Sequence, residues 1–143
     1  MMPLAKGVEQ TVRPADPDYQ YSEFAKKYSK TRQIRSGGYI LEPQTFVLGE
    51  TKEVIELPTT SRVAARVEGK SSLARLGIGI HVTAPTIHAG FVGTIQLEIC
   101  NHGPLRVKLL AGMRVCQLIF EQTLGTAEKG YAGQFYRQGM KKN

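Results

Sequence analysis

Between Tyr39 and Glu121 the chain breaks into eight short β-prone runs, and this pattern limits its possible folds more than any other feature. The runs are Tyr39–Leu41, Thr45–Leu48, Lys52–Leu57, Arg62–Glu68, Gly79–Val82, Thr94–Cys100, Leu105–Leu109 and Arg114–Glu121. Gly49, Pro58, Gly69, Gly77, Pro85, Gly93, Gly103, Pro104 and Gly112 punctuate them. Many short, closely spaced strands with almost no helix predict an all-β antiparallel sandwich or small barrel.

The flanks read differently. Residues 1–36 are polar and interrupted by Pro3, Pro14 and Pro17, with one short helix expected from Ser22 to Lys30. Ser22 could cap that helix, and Phe24 and Tyr28 share one face. This segment is expected to be peripheral to a β domain spanning 37–124. A Gly-rich tail, 125–143, carries Tyr131, Phe135 and Tyr136 but too few apolar residues for a core element. Such a tail is expected either to be disordered or to become ordered over a ligand. At 143 residues the chain is one domain's worth. It has no apolar run of membrane-spanning length, and MMPLAKGVEQ lacks a secretory signal's hydrophobic segment, so the cytoplasm is the expected compartment. The two cysteines, Cys100 and Cys116, are then expected to be reduced. A net charge of +7 favours anionic partners, but the cations are scattered and lack the aromatic interleaving of a single-strand binder. Nucleic acid is not expected.

Three features between Glu68 and Asn101 bear on chemistry. In Gly69-Lys70-Ser71-Ser72-Leu73-Ala74-Arg75, a short helix entered at serine could present free N–H groups, hydroxyls and two cations to phosphates. It could equally be a serine-capped connector. The Walker pattern is absent, because Ala64 stands where its first glycine would fall. In Thr94-Ile95-Gln96-Leu97-Glu98-Ile99, alternation sends the apolar residues to one face and Gln96 and Glu98 to the other. A partly buried Glu98 could shuttle a proton. It could also be a solvated strand carboxylate, or pair with Arg66 or Arg75. His81, His88 and His102 lie in separate segments with no HxH or HExxH pattern, which points away from a metal site. The H-x-E and P-C-x-x-C strings of the zinc nucleobase deaminases are missing as well.

Taken in order, GKSSLARLGIGIHVTAPTIHAGFVGTIQLEICNHGP, LLAGMRVCQLIFE and GYAGQ resemble the dCTP deaminase branch of the dUTPase-like superfamily. The resemblance covers Gly37 to about Gln134 and implies a distorted, jelly-roll-like β-barrel with one or two short helices. It further implies a homotrimer with active sites shared between subunits and closed by the tail. The implied reaction is zinc-independent hydrolytic deamination of dCTP to dUTP, with Mg²⁺ carried by the substrate triphosphate. Matched residue by residue, Glu98 is the implied acid/base, Ser71 and the Ala84 backbone orient the water, and Arg75 pairs with the glutamate. The implied nucleotide contacts are Lys70, Ser72, His88, Phe91 and Gln96, together with Tyr131 and Gln134 of the tail.

Three departures accompany the match. His88 replaces the superfamily's I-D-x-G aspartate, which argues against pyrophosphatase activity. Pro85-Thr86 replaces a basic pair, and residues 1–36 lack the family's opening N-S-x-D-L-R-L-like strand. The alternatives are a dUTP or dNTP pyrophosphatase, a bifunctional deaminase-pyrophosphatase of the same fold, and a non-catalytic nucleotide-binding protein.

Overall fold

The computed structural model describes residues 2–3, 11–125, 129, 130, 133 and 139. Its elements are β1 (Met2–Pro3), α1 (Tyr21–Tyr28), β2 (Tyr39–Leu41), β3 (Thr45–Glu56), β4 (Val63–Gly69), α2 (Ser71–Ala74), β5 (Ile78–Gly79), β6 (Thr86–Ile87), β7 (Val92–Asn101), β8 (Val107–Leu109) and β9 (Cys116–Gln122). The architecture is all-β with two short helices, as expected. Among the described residues the strands form three distorted sheets, ordered β1-β3-β7-β5, β2-β8 and β6-β4-β9, and every pairing is antiparallel.

The central strand is β7. Its Ile95, Leu97 and Ile99 face inward at 3–8% exposure. They join Val47 from β3, Ile78 from β5 and Ala65 and Val67 from β4 in one core cluster. Burying a side chain such as Leu97 stabilises the fold by about 2 kcal/mol. Strand β4 is paired along its whole length, from Val63↔Gln122 to Gly69↔Cys116.

Two local details differ from the sequence-based expectation. Helix α1 starts at Tyr21, with Gln20 at the N-cap and no side-chain cap, so Ser22 lies inside the first turn. The expected strands Thr45–Leu48 and Lys52–Leu57 are a single strand, β3, broken only by a bulge between Glu50 and Val54. Gly49 is therefore not a turn. It is buried in the strand, where an added Cβ would lie 3.0 Å from Ile99 Cδ1, so the missing side chain serves close packing.

Candidate active site

The site is built on the outward face of β7. There Glu98 sits opposite Leu48 of β3, and its backbone N–H donates to Ile80 O at 3.0 Å. The chain after β5 thus runs alongside Glu98, close enough for the Val82 N–H to donate to Glu98 Oε2 at 2.7 Å. The carboxylate is half-buried and held by a backbone donor. Arg66, one partner considered for it, is instead paired with Glu68 at 3.1 Å and Glu121 at 3.2 Å.

Glu98 opens into a pocket of about 280 Å³. Five of the residues expected at the site line it together: Ala84, His88, Phe91, Gln96 and Glu98. Val67, Ile80, Ile87, Ile95 and Leu97 supply an apolar floor, and a mostly apolar cleft with a few converging polar groups is the usual form of a small-molecule site. No lysine or arginine is among its lining residues.

The other expected residues are elsewhere. Ser71 and Ser72 open α2 and are exposed, as is Arg75 at its end, while Lys70 is half-buried before it. None of the four lines this chain's pocket, and Arg75 is in none of the ion pairs among the described residues. Lys70, not a serine, occupies the N-cap of α2, and no side chain caps it. Tyr131 and Gln134 lie outside the described residues.

Two further groups join the site without having been singled out as contacts. His81 lines the pocket, and its Nδ1 is buried with no hydrogen-bond partner among the described residues. Its only trace in the sequence is its place in the extended segment that turns out to flank Glu98. Tyr21 of α1 also feels the carboxylate: burial, then Tyr19, then Glu98 push its phenol upward. Burial and then Glu98 raise the Cys100 thiol in the same way. The Glu98 charge is therefore felt by groups from both β7 and the N-terminal helix.

A carboxylate anchored on one oxygen and facing a cleft this size can take a proton from water and return it to a bound heteroatom. Among the described residues no group of three His, Cys, Asp or Glu side chains could hold a metal ion. No helix among them is long and apolar enough to cross a membrane.

A family model described as dCTP deaminase-like matches residues 5–123. A relative from Methanothermobacter thermautotrophicus, named dCTP deaminase, dUMP-forming, is 45% identical over 106 residues, covering 74% of this chain and 53% of the relative. Another of that name, from Methanosphaera stadtmanae, is 39% identical over 126 residues, covering 88% and 63%. A third, from Leifsonia xyli, is 47% identical over 98 residues, covering 68% and 48%. The chain thus spans about half to two thirds of the length of these relatives. Their names specify dUMP, where the sequence reading expected dUTP. Among solved structures, the EIAV dUTPase superposes with a TM-score of 0.42 at 23% identity, covering 73% of this chain and 91% of the dUTPase.

Proposed function

The chain belongs to the dCTP deaminase-like family, and from that membership we propose that it removes the C4 amino group of dCTP by hydrolysis. One observation carries the reading: the half-buried Glu98 carboxylate, fixed by the Val82 N–H at 2.7 Å, faces a pocket of about 280 Å³. Water attacks C4 as Glu98 takes its proton. The carboxylic acid then protonates N3 and the departing amine, and ammonia leaves. Phe91 packs against the sugar, and Gln96 and His88 supply polar contacts.

The substrate is taken as Mg²⁺-dCTP, the ion travelling on the triphosphate. Because this pocket has no lysine or arginine lining it, the polyanion needs cations from elsewhere. We assign Lys70, Ser71, Ser72 and Arg75 of a second copy to that role, in a homotrimer with shared sites. Their exposure on α2, outside their own chain's pocket, supports the assignment. Tyr131 and Gln134 are assigned to the tail that closes over the nucleotide.

The names of the relatives favour a second step, in which a further water cleaves dUTP to dUMP and pyrophosphate. This is the bifunctional alternative weighed from the sequence, and we adopt it despite His88. Incubation with Mg²⁺-dCTP followed by chromatography tests both steps. Equal amounts of ammonia, dUMP and pyrophosphate are expected. Ammonia with dUTP alone would leave deamination standing and remove the second step, and no product would overturn the reading.

A further inference from the structure

The outward face of β7 continues past the pocket. Thr94 lies on the same face as Gln96 and Glu98, two residues before Gln96. Its hydroxyl donates to Glu50 Oε1 at 2.6 Å. The pair sits where β3 and β7 lose register, since Glu50 pairs with Gln96 but Val54 pairs with Thr94. In the gap Thr51 Oγ1 accepts from the Ile95 N–H at 2.9 Å. The bulge leaves Glu50 and Glu53 exposed beside the strand face that carries Glu98, with Glu56 exposed farther along β3.

This spot touches the chain's own tail. Gly139 has φ +72°, and a Cβ on it would overlap both the Thr94 hydroxyl and the Glu50 carboxylate, with Thr94 Cβ only 3.0 Å away. Gly130 makes a second close approach, where an added Cβ would lie 2.6 Å from Thr59 Cγ2 and 3.6 Å from Gly90 Cα. Gly90 adjoins Phe91 of the pocket lining. Both approaches require glycine, and they place two points of the tail against the sheet that builds the pocket. The charges also match. The segment Arg137-Gln138-Gly139-Met140-Lys141-Lys142 carries three cations, and β3 offers three exposed glutamates.

We propose that the Glu50–Thr94 bulge is a docking surface for this chain's own C-terminal segment 137–142, seated through Gly139 and held by the acidic flank of β3. The latch keeps the tail beside the Glu98 pocket before any ligand arrives. Only this purpose rests on the nucleotide reading; the docking itself does not.

Limited trypsin digestion of the full chain without nucleotide tests it, with cleavage after Arg137 and Lys141 followed by mass spectrometry. The wild-type protein is expected to be protected at both sites. Gly139→Val removes the fit, and cleavage should accelerate about tenfold, tracking the undocked population. Glu50→Gln removes the charge without adding a cleavage site, and about threefold faster cleavage is expected; about 0.5 M sodium chloride should act on the wild type in the same direction. Unchanged melting temperatures would show that neither variant acts by unfolding the body. Equal cleavage rates in the wild type and both variants would overturn the proposal. Protection that grows with protein concentration would assign the surface to another copy's tail and overturn docking within one chain. Since no nucleotide is present, a failure of the deaminase reading leaves this result standing.

Discussion

Glu98 and Asn101 show how differently two polar residues of one strand can serve. Glu98 is held at the pocket by one backbone donor, with its other oxygen available for chemistry. Glu98→Gln is expected to keep nucleotide binding and the melting temperature while deamination falls at least about a hundredfold; near-normal turnover in a steady-state assay would refute the assignment. Asn101 is 1% exposed and entirely structural. Its Nδ2 donates to Leu41 O at 3.1 Å and Leu105 O at 2.8 Å, and its Oδ1 accepts from the Gly103 N–H at 3.0 Å. Asn101→Ala would strand these backbone groups and is expected to cost about 3 kcal/mol, read from denaturant midpoints, without changing the chemistry of the pocket. Glu98 was legible because a carboxylate interrupts an alternating strand in which the apolar residues all face the other way. Asn101 gave no such signal, because the three loops it ties together are distant in sequence.

At the scale of elements, β7 organises the site by pairing with β3 on one side and β5 on the other. The second pairing depends on a tight crossing of two turns. A Cβ on Gly103 would run into the Leu76 carbonyl, and one on Gly77, at φ +84°, into the Gly103 amide. Gly103→Ala is therefore expected to destabilise the chain by about 2 kcal/mol and to loosen the connection from α2 to β5, measurable as a lower melting temperature. Strand existence was readable from alternation and punctuation, whereas strand extent was not. Gly49 read as a stop and is a packing contact with Ile99 inside β3. The expected strand Gly79–Val82 is shorter, Ile78–Gly79, and the chain beyond it follows β7 so that Val82 can reach Glu98. Strand β6, Thr86–Ile87, was not foreseen at all, because only its pairing with Ala65 and Arg66 of β4 makes it a strand.

Across the whole molecule, one chain leaves its cationic helix α2 outside its own pocket and exposes large apolar side chains, among them Leu105 at 63%, Phe120 at 59% and Val54 at 57%. The shared-site reading makes a quantitative prediction. A chain carrying Ser71→Ala and Arg75→Ala and a chain carrying Glu98→Gln should each be inactive, yet after equimolar mixing and reassembly regain about a quarter of wild-type activity, the fraction of interfaces that pair two intact halves at random. No recovery would place each site within a single chain. What the sequence by itself determined was the all-β class, the family and the polar face of β7, because these depend on residue order and on a periodicity of two along one strand. What only the tertiary structure decided was the company that face keeps: the backbone donor at Val82, the buried His81 nitrogen, the nearby phenol of Tyr21 and the bulge that receives Gly139. Each brings together residues far apart along the chain, and such closeness is set by which strands pair and how the core closes, not by any pattern within a segment.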